Sequence, residues 1–421
     1  MRARKLELIA KAARITWGCS SYPLSPGRHR MIKNVLFERR IYPAASIIVL
    51  RFKFSQELGM LQKALSLVIA LASTAACIGC SNSSHFLFAA LPATNQVAVY
   101  REDPTAGVLT QIAGSPFAAG DGAFSLVVHP SGKFLYVANP GQNENDISLF
   151  TIASNGVPSE IFPRTSVAPD ASQPTLLVMD PAGSFLYVMN AGSSNISVFS
   201  INTKSGVLSP VANSPFNIGL PLLNMQPTPS GNFLYVTAVG QNNGLILGFS
   251  VTSGSLTLAT QIANSDGTNP LGLAIDPTGT FLYVANTSSN SISIFKISSS
   301  GVLSEVSGSP LNTYNAPIAL LLDPKGQFLY VADQASNNIA VYSITAGTGL
   351  PVGLTTSTSL FAFATETSPS VLALDSNGNH LYVGNQGSSA GIQSFQVSSG
   401  NLNPIFTYKV GNTPSSIAIL Q

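Results

Sequence analysis

The chain has 421 residues, only 9% of them charged, and a formal net charge of +2, which excludes a highly charged disordered chain and a polyelectrolyte tail protein. That balance hides an asymmetry, because residues 1–80 hold 13 of the 20 Lys and Arg but only three of the 18 acids. Residues 81–421 therefore set seven basic against 15 acidic side chains, a net charge of −8 that repels polyanions and argues against a nucleic-acid partner.

Residues 1–59 match nothing downstream. They contain the sole Trp (Trp17), Cys19, a basic run through Arg39 and Arg40, and an apolar patch at 47–50. Residues 60–80 have the layout of a bacterial export signal: Met60 and Lys63 as a short basic start, an apolar core over 64–72, and small residues over 75–80. The apolar core is short for a membrane span. Cys80 follows Ile78 and Gly79 and precedes Ser81, Asn82, Ser83 and Ser84, a pattern similar to a lipoprotein processing box with a flexible tether. Cys77 is the alternative lipidation site; an ordinary secretory signal and an uncleaved anchor are the competing readings. A signal starting this far into a chain is unusual, so the natural start is expected at Met60, with 1–59 an artefactual or disordered extension. The expected location is extracytoplasmic, in the bacterial cell envelope, by a lipid anchor. Residues 81–421 contain no cysteine, so neither a disulfide nor thiol chemistry is available there.

From Phe86 onward one phrase returns. FLYV or a close variant begins at Phe86 (FLFA), Phe134, Phe185, Phe233, Phe281, Phe328 and His380 (HLYV), at spacings of 48, 51, 48, 48, 47 and 52 residues. A period of this size marks a repeat architecture. The copy at 270–286 shows its parts. A near-continuous apolar run with Leu271, Leu273, Ala274 and Ile275 predicts a strand buried on both faces. Asp276, Pro277 and Gly279 then supply a type I turn with a capping carboxylate, a preset φ and a flexible exit. A second buried strand is predicted over 281–285, a half-buried third over 291–297, and a solvent-facing fourth over 301–310. Such a gradient predicts a radial blade, with its first strand at a central axis and its fourth at the rim.

The phase of the repeat predicts how the ring closes. Phe86 opens a second-type strand with no first-type strand before it, whereas residues 414–420 form a first-type strand with no FLYV after it. Joined, the two ends complete one blade and hide the open strand edges. The expected fold is all-β: a seven-bladed β-propeller of four-stranded blades, spanning 81–421, with the C-terminal strand completing the N-terminal blade.

The phrases DPTGTFLYVAN, SNSISIF and GVLSEVSGSP resemble the lactonase family of seven-bladed propellers with YVTN-type repeats, which includes bacterial 6-phosphogluconolactonases and fungal carboxymuconate cyclases. The shared phrases are strand and turn residues, so the resemblance bears on fold more than on activity. It implies that enzymatic members carry an Arg-His pair just after the Pro that opens a first-type strand, and a Glu just after a second-type strand. Here the first positions hold Thr175-Leu176, Leu222-Leu223, Leu271-Gly272, Ile318-Ala319, Ser370-Val371 and Ser415-Ser416, with Ser125-Leu126 in the blade lacking the Pro. Pro140, Ala191, Val239, Thr287, Gln334 and Gln386 follow the second strands. None of these residues can serve as the expected acid, base or cation.

The remaining chemical candidates are few. His129 takes the slot of the repeated turn aspartates Asp180, Asp276, Asp323 and Asp375, and is expected to replace them in the turn. His380 in the Phe slot and His85 before the first repeat are expected to be strand-end residues. No His-x-x-x-His, cysteine cluster or Asp-rich calcium loop is present, so neither a metal nor a cofactor is expected and no catalytic residue is assigned. Glu144 and Asp146 lie in the long loop after the second strand of their blade, and Asp333 replaces the Asn found at Asn139, Asn190, Asn286 and Asn385. These three acids are the candidate ligand-binding residues, with solvated loop charge as the plain alternative; the repeated Asn suits an αL-tolerant or side-chain-capped turn.

Two functions remain open. One is a monomeric binding or interaction module for a small molecule, a glycan or an envelope protein. The other is a hydrolase of a sugar-acid lactone. A phosphorylated lactone fits less well, because phosphate recognition favours Arg or Lys, and Lys133 and Lys325 lie in the first turns, away from the expected cleft.

Overall fold

The structure, a computed structural model, describes residues 36–40, 49–53 and 85–420, apart from 143, 168, 241–242, 264–266, 354, 357–358, 361 and 388–390. Within 1–59, Leu36–Arg40 pairs antiparallel with Val49–Lys53. The expected signal at 60–80, with Cys77 and Cys80, lies outside the described residues.

The unit from Ser83 to Gln421 contains seven antiparallel sheets built on four successive strands each. Its innermost strands are Ser125–Val128, Pro174–Met179, Leu222–Pro227, Pro270–Ile275, Pro317–Leu322, Pro369–Leu374 and Ser416–Leu420. Each touches the next, and Ser416–Leu420 returns to Ser125–Val128, so the ring is closed. Closure follows the phase of the repeat: Ser416–Leu420 pairs with His85–Leu91, aligning Leu420 with Phe86 and Ile417 with Ala89.

The turn after each innermost strand behaves as its residues dictate. The Asp180, Asp276 and Asp323 carboxylates accept the amide of the Phe that opens the next strand, at 2.5, 2.6 and 2.7 Å. The glycine amide closes back on the aspartate carbonyl, as from Gly279 to Asp276 at 2.8 Å. The opening Phe packs under the outer turn of the following blade. A Cβ on Gly301, whose φ is +80°, would lie 2.4 Å from the Phe233 ring, so glycine is required there twice over. Beside it the strand tyrosine donates across the blade interface: Tyr136 to the Gly206 carbonyl at 2.7 Å, Tyr235 to Gly301 at 2.8 Å, and Tyr283 to Gly349 at 2.8 Å.

The burial gradient differs from the expectation in two places. The most buried strands are the second ones, as in Phe281–Asn286, and the third strands, where Ser291 through Phe295 are all buried rather than half-buried. The innermost strands are only partly covered, as at Leu271 and Ile275. The reason is geometric. Second and third strands are sandwiched between neighbouring blades, whereas the innermost strands border the axis, where opposite walls do not meet.

Candidate functional site

The axial strands bear no chemistry of the acid–base kind. From Ser125–Val128 round to Ser416–Leu420, none of the seven carries an ionisable side chain; Asn224 and Gln226 are the largest polar groups, and Asn224 donates to the Leu271 carbonyl at 2.5 Å. A cavity of about 320 Å³ lies where the first turns approach the axis, bounded by Gln226, Leu273, Leu320, Leu374, Asp323 and Asp375. Both Asp323 oxygens are occupied by turn amides, those of Gln327 and Phe328 on Oδ1 and that of Lys325 on Oδ2. Such a carboxylate braces a turn and is not poised as a base.

At the opposite end of the blades stand the repeated asparagines. Their backbone is not left-handed, contrary to one of the two readings, because each is the last residue of a second strand and fully buried. In three of them the side chain reaches across to the third strand, whereas Asn385 donates to the Val383 carbonyl of its own strand at 3.3 Å. Asn139 donates to Ser148 Oγ at 3.0 Å, Asn190 to Ser197 Oγ at 2.9 Å and Asn286 to Ser293 Oγ at 2.9 Å. This bond explains the buried serines of the third strands.

Asp333 takes the asparagine position with the same complete burial, so it is not a solvated loop charge. The serine of three other blades, Ser148, Ser197 and Ser293, is Ala340 here. Asp333 Oδ1 accepts from Thr313 Oγ1 at 3.3 Å, Thr313 accepts from the Tyr342 hydroxyl at 2.8 Å, and Asp333 Oδ2 has no hydrogen-bond partner among the described residues. Burial pushes the carboxyl up to about 8, against the smaller opposing effect of hydrogen bonds from Thr313 and the Ala340 backbone.

Glu144 and Asp146 do come together, and Arg164 is what joins them. Arg164 Nη1 lies 2.8 Å from Glu144 Oε2 and 4.0 Å from Asp146 Oδ2, while its Nε donates to Glu160 Oε1 at 2.7 Å. Glu144 Oε2 also accepts from the Asp121 amide at 2.7 Å, Asp146 accepts from Asn139 at 2.7 Å, and Ser148 donates to Glu160 at 2.7 Å. Burial raises the Asp146 carboxyl, and the Glu160 hydrogen bond raises the Arg164 guanidinium further. One cation among three carboxylates makes a cluster of net charge −2, which would repel phosphate. Asp146 lies on the third strand of its blade, Asp146–Ile152, Glu160 and Arg164 on the outermost, Pro158–Ser166, and Glu144 in the loop before the third strand, where it meets the segment leading into Ser125–Val128; the exposed Phe162 ring is 5.6 Å from the Arg164 guanidinium carbon. Asp333 belongs to a different blade. Glu160 and Arg164 escaped the sequence reading, although Arg164 is one of only seven basic residues after position 80.

The histidines divide. His129 sits in its turn, with Nδ1 2.8 Å from Ser131 Oγ and Nε2 2.9 Å from the Gly183 carbonyl. His380 and His85 are more than strand ends. Both approach Glu102 at the seam between the last blade and the first, with His380 Nδ1 3.8 Å from Oε1 and His85 Nδ1 3.7 Å from Oε2. The Tyr382 hydroxyl donates to Glu102 Oε1 at 2.8 Å, and His380 Nδ1 is 3.2 Å from Asp375 Oδ2. Glu102, Asp375 and His380 each bring one potential metal-ligating atom within 4.8 Å of the others, although no metal-binding sequence motif announces them.

A closed ring of seven four-stranded antiparallel blades around a nearly uncharged axis defines the seven-bladed β-propeller class. The chain belongs to the family described as "Lactonase, 7-bladed beta-propeller", which matches residues 112–222, 224–314 and 282–360. It is 38% identical over 82 residues to a 6-phosphogluconolactonase of Formosa agariphila, a match covering 19% of this chain and 22% of that protein. It is 34% identical over 105 residues to a 6-phosphogluconolactonase of Bacillus subtilis, covering 24% of this chain and 30% of the relative. The matched stretch thus spans less than a third of either relative. Among solved structures, the periplasmic gluconolactonase of Pseudomonas aeruginosa superposes with a TM-score of 0.69 at 18% identity, covering 80% of this chain and 99% of that one. A Lactobacillus plantarum protein superposes with a TM-score of 0.68 at 21% identity, covering 80% and 99%. At these identities the structural likeness concerns the fold.

Proposed function

We propose that this lactonase-family propeller is an exported, lipid-anchored binding or interaction module for a small molecule, glycan or envelope protein. The observation that carries this reading is the axial wall: seven innermost strands without one ionisable side chain. Lactone opening needs a base to activate water and a donor for the tetrahedral oxyanion, and general acid–base help alone contributes roughly 10²–10⁴-fold. Two charged groups that could contribute are already engaged, since Arg164 is held by Glu144 and Glu160 and Asp323 by turn amides, and neither Asp333 nor Glu102 lies on an innermost strand. Gluconolactone and 6-phosphogluconolactone should therefore open in the presence of the purified protein no faster than in buffer, once spontaneous hydrolysis is subtracted. A saturable rate above that background overturns the binding reading.

The second reading, hydrolysis of a sugar-acid lactone, is favoured by the family membership and by the names of the two curated relatives. Under it, Glu144→Gln and Asp146→Asn are the first variants to assay, because these acids and Arg164 form the charged cluster at the end of the blades where the family's enzymes place their Glu.

The export reading rests on residues 60–80, and it agrees in compartment with the periplasmic Pseudomonas aeruginosa protein of the same fold. One acyl chain holds a protein only marginally, so stable retention requires the multiple acylation of a processed lipoprotein cysteine. Cys80→Ser should shift the protein out of the membrane fraction or stall its processing. Retention at the wild-type mass would reject lipidation at Cys80 and direct attention to Cys77.

A further inference from the structure

We propose that the seam that closes the ring is a binding site for one divalent transition-metal ion, ligated by Glu102, Asp375 and His380. The repeat itself makes these residues conspicuous. In the six other blades the His380 position is Phe: Phe86, Phe134, Phe185, Phe233, Phe281 and Phe328. The Glu102 position is Ile or Val elsewhere, and the ladders establish the equivalence, since Glu102 aligns with Leu109 as Ile201 does with Leu208 and Ile297 with Leu303. Two apolar positions have thus become polar together, and only at the junction between the last blade and the first. The exchange also diverts the strand tyrosine: Tyr382 donates to Glu102, where Tyr136, Tyr235 and Tyr283 donate to a glycine carbonyl.

The site has the burial and the donor set of a metal centre. The side chains of Glu102, His380 and Asp375 are 0%, 2% and 2% exposed, and two carboxylates so buried call for a compensating cation. Asp375 Oδ1 takes the amides of Asn379 and His380 at 2.6 and 3.1 Å, which leaves Oδ2 directed at His380. Glu102 Oε2 is buried without a hydrogen-bond donor among the described residues, with His85 Nδ1 at 3.7 Å, so this carboxylate has ligating capacity to spare. Separations of 3.2 and 3.8 Å from His380 Nδ1 to the two carboxylates match ligand atoms placed about 2.1 Å from a common ion. One imidazole nitrogen with two carboxylate oxygens suits Zn²⁺, Co²⁺ or Mn²⁺ better than a soft ion. Asp375 also borders the axial cavity, which gives the ion a way in.

The test is metal uptake by the chelator-treated full chain, with Zn²⁺ and Co²⁺ as probes. His380→Phe and Glu102→Ile restore the residues the repeat uses elsewhere, so both variants should fold. The double variant leaves Cys19, Cys77 and Cys80 in place and subtracts any metal they bind. The wild type should take up one equivalent more than the double variant, and its melting temperature should rise by several degrees at saturating metal. Each single variant should weaken binding at least about tenfold, and Co²⁺ should give visible ligand-field bands in the difference between the wild-type and double-variant spectra. Equal uptake by wild type and double variant, or no melting shift with metal, overturns the site.

Discussion

Removing residues 413–421 should leave a protein that is insoluble or melts far below the intact chain. The deletion takes away Ser416–Leu420, the innermost strand of the first blade, which lies between Ser125–Val128 and Pro369–Leu374. Ile417 is 8% exposed and packs with Leu87 and Ala373, while Leu420 packs against the cluster of Phe86 and Phe88. A large apolar side chain contributes roughly 1.5–3 kcal/mol when fully buried; Ile417 is buried and Ile419 and Leu420 partly so, and their combined loss, together with the backbone pairing of the strand, is a large fraction of the roughly 5–15 kcal/mol that stabilises a typical domain. Hydrogen bonds go as well: Ser415 to the Phe124 carbonyl at 2.5 Å, and the Leu126 amide to Ser416 Oγ at 3.2 Å. The strand edge at Phe86–Ala90, now fully buried, would face water unpaired and invite association between chains. A milder probe is Ile417→Ala, for which a loss of about 2–4 kcal/mol in denaturant unfolding is expected. A truncated chain with unchanged melting would mean that Ser416–Leu420 does not hold the ring together.

That closing strand is legible in the sequence, because a repeat that begins out of phase must be completed by its other end. The Asp-Pro-x-Gly turns were legible for a related reason: their chemistry is local, and Asp276 needs only the next five residues to find its partners. Burial was less legible. Ser291 and Ser293 alternate with isoleucines, which suggests a wet face, and the pattern alone does not reveal that a buried Asn286 side chain waits opposite both serines. The error is one of partnership rather than of strand assignment.

The seam at Glu102 escaped for the opposite reason. Its partners Asp375, His380 and Tyr382 lie more than 270 residues away, and only ring closure brings them near. A signal did exist, since aligning the seven repeats places Glu102 alone among isoleucines and valines. Glu144 and Asp146 stand out in the sequence because their loop is long, but Arg164, which pairs with Glu144 and Glu160, lies on the next strand and needed the ladder between Asp146–Ile152 and Pro158–Ser166 to be placed.

The sharpest expectation from a single side chain concerns Asp333. Its folded-state pKa is about 8, raised mainly by burial, while an unfolded aspartate titrates near about 3.9. Between those values the folded protein keeps a proton that the unfolded chain releases. Unfolding then liberates a proton, so stability falls as pH rises through this window, by at most about 1.4 kcal/mol per pH unit. Below about pH 4 both states are protonated and the slope disappears; above about pH 8 both are ionised and it disappears again. Asp333→Asn supplies the residue that Asn139, Asn190, Asn286 and Asn385 provide in four other blades, and it cannot ionise. Alone it lacks the serine acceptor, because Ala340 stands where Ser148, Ser197 and Ser293 do, so Asp333→Asn with Ala340→Ser rebuilds the whole pair. Measured by denaturant unfolding, the single variant should match the wild type near pH 4.5 and exceed it by about 2–5 kcal/mol near pH 8. Other titrating groups are common to both proteins, so the difference isolates this carboxyl provided the substitution disturbs nothing else. Parallel stability curves for the two proteins would mean that Asp333 is ionised in the fold at neutral pH, with a cation or water on Oδ2, and that this blade carries a charge where the others carry an amide.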